Sequence, residues 1–467
     1  MSRTISLPDS ATLVDSRGET SGWLVVLHAP NKPAIGACAS IRDGDVHLGR
    51  DGLAGIDLGD SALSRRHLAV GWVAGIPTLV DLNSKNGTYV QGAKVPAMSN
   101  RGLEDGDVIR CGQSVIGFSA DEPGPRFDLD DVVPGRAPAA VGARAWLANV
   151  ARTDHHVYIA GETGSGKEAI ARWLHQHSPR AKRPYVSVNC ASLDESLGEA
   201  KLVGNEKGAY TGASDARKGL FHVAHGGTLF LDEVQAMIPS LQDYLLRFAE
   251  DGRFRTLGAS DREVEVSVRL VAASSEPVGL MSQSLRRPLL ARLQRLDPVV
   301  LPPLRERRID ILDWARHFLA EAHLRSRGRT TVEFDAGFAE ALLLCPWDTN
   351  LRGLRGAVDS AVLRAGRAST LKASDLSDQV QSHRSSLRAE GPVGASPPTA
   401  EERRSAPPGL SEEDRERWLE CFDALSRHDG RVASAAPELG TSERQLRREL
   451  VRLGIEHRGF FRRGRAV

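Results

Sequence analysis

The sequence predicts a multidomain chain of three classes in series: an all-β sandwich, an α/β domain on a parallel sheet, and an all-α helical hairpin. Three observations predict it. Short alternating apolar and polar runs, broken by Gly, Pro, Asn and Asp, fill residues 22–119. Apolar runs alternate with helical periodicity over 135–375, and residues 411–456 carry helical periodicity alone. Alternation at period two reads as half-buried strand, and strand–helix alternation reads as parallel sheet. At 467 residues the chain exceeds one core, so two to four domains are expected.

Composition narrows the classes. The chain is 41% hydrophobic and 26% charged, which suits a soluble globular protein. Its formal net charge is only +1, yet residues 425–467 hold ten Arg against five Asp or Glu. A basic end of this kind is a candidate nucleic-acid footprint or a solvated tail. Cys38, Cys111, Cys190, Cys345 and Cys421 form no CxxC pair, which argues against zinc and a disulfide framework and suits a reducing compartment. The first residues lack a signal-peptide core, and no stretch approaches the ~20 apolar residues of a membrane span. A cytoplasmic location is the expectation.

Within the first module, strands are predicted at Trp23–His28, Val46–Leu48, His67–Val73, Thr78–Leu82, Thr88–Val90, Asp107–Arg110 and Val115–Phe118. Residues 120–134, with Pro123, Pro125 and Pro134, read as a linker. The α/β domain is placed at 135–379. Residues 380–410, rich in Ser, Pro, Glu and Arg, read as a flexible tether, and 411–457 as the helical module.

The α/β domain carries the chemistry. His156-Val157-Tyr158-Ile159-Ala160 is a short apolar run ending at Gly161, as a buried strand does. Gly161-Glu162-Thr163-Gly164-Ser165-Gly166-Lys167-Glu168 follows. Its glycines let backbone amides wrap a phosphate at a helix N-terminus, and Lys167 neutralises the β- and γ-phosphates of ATP. Gly227-Thr228-Leu229-Phe230-Leu231-Asp232-Glu233 is a second buried run. Asp232 at its end would hold Mg2+ and Glu233 would polarise the attacking water. Carboxylates ending an apolar run are costly without a cation. Glu168 stands where P-loops usually have Ser or Thr.

Between these motifs lies Gly208-Ala209-Tyr210-Thr211-Gly212-Ala213. It resembles the GAFTGA loop with which sigma-54-dependent activators grip RNA polymerase, and that family also carries Gly-Lys-Glu at the P-loop. The resemblance runs over most of 135–365 and implies an AAA+ ATPase with a helical lid from about residue 305. On this resemblance Asn189, in Tyr185-Val186-Ser187-Val188-Asn189-Cys190-Ala191, pairs with Glu233 as a nucleotide-dependent switch. Arg286 and Arg292, in Leu285-Arg286-Arg287-Pro288-Leu289-Leu290-Ala291-Arg292, are the arginine fingers offered to a neighbouring subunit. Arg352, in Trp347-Asp348-Thr349-Asn350-Leu351-Arg352, is the lid arginine that reaches the nucleotide. Four positions depart from the pattern: Tyr210 replaces Phe, Ser275 replaces Asn in the sensor strand, and Pro288 and Ala291 replace Asp and Tyr.

Leu48-Gly49-Arg50, Ser64-Arg65-Arg66-His67 and Asn83-Ser84-Lys85-Asn86-Gly87-Thr88 together resemble the loops of forkhead-associated (FHA) domains. That resemblance makes Arg50, Ser64 and Arg65 phosphothreonine ligands and Asn86 a peptide-backbone ligand. At the other end, residues 431–450 resemble a Fis-type helix-turn-helix, with Gly440 closing the first helix. Ser442, Arg444, Gln445, Arg447 and Arg448 are its candidate DNA contacts. A dimerisation hairpin is the alternative.

The combined expectation is a sigma-54-dependent activator that hydrolyses ATP in a ring, with a hexamer as the expected assembly. It acts on RNA polymerase holoenzyme from upstream enhancer DNA, under control of a phosphothreonine partner. Two rivals stay open. One is a DNA-bound phosphopeptide adaptor or repressor with a weak or inactive ATPase, and the other is an ATPase of this fold acting on a different partner.

Overall fold

The structure is a computed structural model. It describes residues 21–41, 45–73, 75–125, 128, 132–195, 197–210, 214–259, 263–276, 284–325, 333–366, 368–378, 380–381, 420–421, 424, 436–441 and 445–446. Contacts divide the chain into two units, 1–121 with 386–467, and 122–385.

In the first unit, eleven short strands build an antiparallel sandwich. They are β1 (Trp23–His28), β2 (Cys38–Ser40), β3 (Val46–Gly49), β4 (Gly52–Leu53), β5 (Leu68–Val73), β6 (Ile76–Asp81), β7 (Thr88–Val90), β8 (Ala93–Lys94), β9 (Asn100–Gly102), β10 (Val108–Cys111) and β11 (Ser114–Ser119). One sheet runs β2-β1-β11-β10-β7-β8 and the other β4-β3-β5-β6-β9. Leu24 and Val26 face Phe118 and Ile116 across β1–β11, and these four share a core with Leu48, Leu68, Val70 and Leu79 of the second sheet. The strands absent from the sequence reading are β2, β4, β8 and β9. Each has two or three residues, too few to display an alternation.

The second unit opens with α1 (Pro138–Ala151), β12 (Val157–Ala160), α2 (Lys167–Gln176), β13 (Tyr185–Asn189), α3 (Gly198–Val203) and the short pair β14 (Gly204–Asn205) and β15 (Arg217–Lys218). Next come α4 (Leu220–Val223), β16 (Thr228–Asp232), α5 (Pro239–Asp251), the hairpin β17 (Arg253–Arg255) and β18 (Glu263–Glu265), β19 (Arg269–Ser274), α6 (Arg287–Leu293) and β20 (Val299–Val300). The central sheet is parallel, in the order β13-β16-β19-β12-β20. Its side chains alternate between two cores. Val157, Ile159, Phe230, Val271 and Ala273 pack with α1 and α2, whereas Tyr158, Leu229, Leu231, Leu270 and Ala272 pack with Leu241, Leu245 and Phe248 of α5. Burial on both faces explains why these strands read as unbroken apolar runs.

Beyond β20, α7 (Ile311–Arg325), α8 (Ala336–Leu344) and α9 (Asn350–Ala365) form a helical subdomain, with Glu333–Phe334 and Thr370–Leu371 paired as a small parallel bridge, β21 and β22. Among the described residues no helix is long and apolar enough to cross a membrane. Described residues at both ends of the stretch expected as linker are packed. Val133 is in the core of this unit, and Gly124 N donates to Arg136 O at 2.6 Å. The apolar pair Val132-Val133 supplies the reason.

Distant residues cap α1 at both ends. Its N-cap is Ala137, which offers no side-chain acceptor. Asp310 serves instead, accepting from Arg136 N at 2.5 Å and Ala137 N at 3.1 Å. At the other end the fully buried Arg269 donates to Val150 O, Ala151 O and His155 O at 2.9, 3.2 and 3.0 Å. An anion at the N-terminus and a cation at the C-terminus both suit the helix dipole.

Burial pushes the Asp310 carboxyl up to about 6, against the hydrogen bonds from Arg136 and Ala137 and the charge of Arg307, which lower it. A carboxyl raised in the folded state binds its proton more tightly there than in the unfolded chain. Its stabilising share is therefore full below the ordinary value and is lost as pH rises through about 6. Denaturant unfolding between these limits is expected to show that loss in the wild type, and Asp310→Asn, which keeps an acceptor for both amides, is expected to flatten it.

Candidate functional site

The parallel sheet delivers β12 and β16 to the same edge, and the turn after β12 wraps back on itself. Gly164 and Gly166 hold φ of 78° and 103°, where a side chain is strained. A Cβ on Gly164 would also lie 2.1 Å from Thr349 O. Gly166 is the N-cap of α2, so Lys167 starts the helix. Lys167 is only 6% exposed. Its Nζ donates to Gly161 O at 2.8 Å and Glu162 O at 3.3 Å, and lies 3.7 Å from Glu233 Oε1. Burial lowers its pKa, and the charges of Glu233 and Asp232 oppose that shift.

Burial raises the Asp232 carboxyl, and repulsion from Glu233 raises it further, while Lys167 pulls it down. Glu233 stands in the left-handed region at φ 50°. Its Oε2 accepts from Ser275 Oγ at 2.7 Å and from Gln235 Nε2, and Gln235 Nε2 also donates to Ser275 Oγ at 2.9 Å. Burial raises the Glu233 carboxyl, but the Ser275 and Gln235 hydrogen bonds and the Lys167 charge leave it below its usual range. Ser275, a departure from the family pattern, is thus in contact with the glutamate.

The residues fit a nucleotide phosphate. Ser165 is buried in the loop, and its Oγ has no hydrogen-bond partner. It stands beside two left-handed glycines and a buried lysine, so a hydroxyl donor without an acceptor faces a cationic loop. Among the described residues no group of three or more His, Cys, Asp or Glu could hold a metal. A divalent ion at Asp232 would therefore take its remaining ligands from phosphate and water.

The lid segment closes on the loop. Asn350, buried at φ 51°, donates from Nδ2 to Thr163 O and Glu162 Oε2 at 3.1 and 3.2 Å and accepts from Leu304 N at 2.8 Å. Arg305 grips Glu162 through two bonds of 2.6 and 2.7 Å. Leu351 N donates to Gly164 O at 3.2 Å. Arg352 lies near enough to Lys167 to lower its pKa. Asn350 and Arg305 were not among the candidate residues. Asn350 stood inside the quoted lid segment, so position gave a signal for it, whereas nothing marked Arg305.

Other candidates have different partners within this subunit. The Asn189–Glu233 pair is not formed. Asn189 Oδ1 accepts from Ala191 N at 2.9 Å and caps the turn after β13, while Glu233 Oε2 is engaged by Ser275 and Gln235. Arg286 pairs with Asp243, and Arg292 with Glu250 at 3.1 Å, so both finger candidates bind acids of α5 in the same subunit. Glu168 is exposed and pairs with Arg172 at 3.5 Å, one helical turn on.

Tyr210 is exposed in the loop that the β14–β15 pair closes at its base. The buried Asn205 ties that base through Glu206 O and Asp215 O at 3.1 and 3.0 Å. Gly208 and Ala209 belong to the described part, while Thr211, Gly212 and Ala213 lie outside the described residues.

In the sandwich, three loops converge as their spacing predicts. Arg50 N and Nε donate to Ser64 O and Leu63 O at 2.9 and 3.2 Å. Ser64 Oγ accepts from Lys85 N at 3.0 Å, and Asn86 Nδ2 donates to Ala62 O at 2.7 Å. His67 is buried between them, its Nδ1 accepting from Ser64 N and its Nε2 facing Gly87 O at 3.3 Å. Burial lowers its pKa, so the neutral ring with the proton on Nε2 ties the second loop to the third. Arg50, Arg65 and Asn86 are exposed around this brace.

Of the helix-turn-helix candidates, Ser442, Arg444, Arg447 and Arg448 lie outside the described residues. Gly440 turns at φ 64°, Gln445 is exposed and Leu446 is buried.

Comparison with known proteins now adds to this geometry. Residues 133–297 match the sigma-54 interaction domain, 46–112 the FHA domain and 305–392 the AAA+ ATPase lid domain. The nitric oxide reductase transcription regulator NorR1 of Cupriavidus necator is 37% identical over 357 residues, covering 74% of this chain and 68% of that protein. The chain belongs to the sigma-54 activator family. Other relatives of this sigma-54 activator match over smaller shares. The nitrogen fixation protein AnfA of Azotobacter vinelandii is 34% identical over 68% of this chain and 56% of its own length. The Nif-specific regulatory protein of Klebsiella pneumoniae is 41% identical over 52% and 46%. The central domain is an AAA+ ATPase domain, and the N-terminal sandwich is an FHA domain.

Two binding measurements check the site. Lys167→Ala is expected to weaken binding of a fluorescent ATP analogue by about ten- to one-hundredfold, the value of charged hydrogen bonds, with the circular dichroism spectrum retained. Arg50→Ala is expected to weaken phosphothreonine-peptide binding by a similar factor in calorimetry, with the unphosphorylated peptide failing to bind either protein.

Proposed function

We propose that this protein is a sigma-54-dependent transcription activator that hydrolyses ATP in a ring and is regulated by phosphothreonine binding to its FHA domain. The observation that carries the reading is the constellation at one sheet edge, with Lys167, Asp232 and Glu233 together and the lid's Asn350 locked onto the same loop. Lys167 and the loop amides would bind the phosphates, and Ser165 Oγ is a free group there. Asp232 would hold Mg2+, which when bound neutralises charge on the phosphates. Glu233, held as a carboxylate, would accept a proton from the water that attacks the γ-phosphoryl group.

Arg286 and Arg292 would act across the subunit boundary. Each first has to leave its acid on α5, Asp243 or Glu250, which makes hydrolysis depend on assembly. Exposed ion pairs of this kind hold little energy, so a neighbour's phosphate can displace them. Tyr210, exposed in the loop between β14 and β15, would engage the polymerase holoenzyme and remodel the closed complex. The Arg-rich C-terminal segment would tether the ring to upstream DNA.

The test is ATP turnover against protein concentration. Cooperative growth of turnover is expected, with loss in Glu233→Gln and Arg292→Ala. Tyr210→Ala is expected to keep turnover and lose open-complex formation with sigma-54 holoenzyme. A wild type that binds ATP yet never turns over, with or without phosphothreonine peptide, would favour a DNA-bound phosphopeptide adaptor.

A further inference from the structure

The geometry points to Gln235 as a positioning residue for Glu233, its amide supplying what Asn189 and position 275 do not. The inference rests on the ATPase reading above. Gln235 sits in the turn Val234–Ala236 directly after β16, on the residue next but one to Glu233. Its Nε2 reaches both Glu233 Oε2 and Ser275 Oγ, and Ser275 Oγ reaches the same carboxylate oxygen, so the three groups close a triangle.

Chemistry dictates which way this amide faces. An ionised carboxylate only accepts, so the Nε2 end must point to Glu233. The cost is visible at the other end. Gln235 Oε1 is buried and has no hydrogen-bond partner. A buried amide oxygen left without a donor is unfavourable. A glutamine selected for stability alone would be replaced by an apolar residue of the same length without that penalty.

The alternatives for holding Glu233 are otherwise engaged or absent. Asn189 turns its side chain to the following turn, where Oδ1 accepts from Ala191 N, and no hydrogen bond joins it to Glu233. Serine at 275 brings a hydroxyl and no amide. Lys167 meets the other oxygen, Oε1, at 3.7 Å, too long for a tight hydrogen bond. Gln235 and Ser275 therefore fix Oε2. With Oε2 so held, Oε1 is the oxygen left to face Lys167 and a reacting water. Gln235 touches no substrate in this role. It acts through Glu233.

The test uses the full-length chain, with ATP turnover and binding of a fluorescent ATP analogue measured side by side. Gln235→Ala, and Gln235→Met as the variant that keeps side-chain length, are expected to lower kcat about ten- to one-hundredfold, the usual result of misplacing a reacting group. Analogue affinity is expected to hold within about twofold, since the P-loop contacts are untouched. Adding Ser275→Asn, which returns an amide beside Oε2, is expected to restore most of the lost kcat. Unchanged kcat in both Gln235 variants, with turnover lost in Glu233→Gln, would overturn this inference and leave the ATPase reading standing. So would a fall in kcat matched by a fall in affinity and not rescued by asparagine at 275. A wild type without turnover at any concentration would overturn both.

Discussion

A nearly buried ammonium group beside the Glu233 carboxylate governs the central domain. Lys167 cannot stay charged at 6% exposure without acceptors, and Gly161 O, Glu162 O and the Glu233 carboxylate provide them. That requirement links elements far apart in sequence. The loop after β12 must curl, so Gly164 and Gly166 take left-handed conformations. The acids must end β16, and β16 must run parallel to β12 with only β19 between them. Change any one of these and a buried charge loses its partner.

The same economy appears where the lid meets the loop. Thr349 O sits where a Gly164 side chain would be, and Asn350 reads the Glu162–Thr163 backbone and side chain directly. The nucleotide loop and the helical subdomain therefore share a hydrogen-bond network. Asn350 and Arg305 are the residues that join the loop to α9 and to the segment before α7. These contacts join the nucleotide loop to the lid in one hydrogen-bond network.

The FHA sandwich uses a comparable device with neutral chemistry. His67 joins two ligand loops through one ring, and it does so as an uncharged group because burial lowers its pKa. The cations that would meet a phosphate, Arg50 and Arg65, remain exposed around it. Rigidity and charge are thus carried by different residues. A charged histidine at that centre would have to lose its hydrogen bond from Ser64 N.

Much was legible in the sequence because the relevant signals are local. The runs at 157–160 and 228–232 are buried on both faces, and the glycines at 164 and 166 are demanded by the turn itself. Periodicity and spacing pointed to Lys167, Asp232 and Glu233, and the resemblance to FHA loops pointed to Arg50, Ser64 and Asn86. Pairings across long separations were not legible. Asp310 caps a helix 173 and 174 residues away, Arg269 closes its other end, and Gln235 rather than Asn189 holds Glu233. The amide of a glutamine carries no periodic signal, and two residues of β-bridge show no alternation. The sequence by itself determined which elements form and which carry charge, since those depend on neighbours along the chain. Only the tertiary structure decided which donor meets which acceptor, because a buried polar group takes whichever partner the packing brings within 3 Å or so.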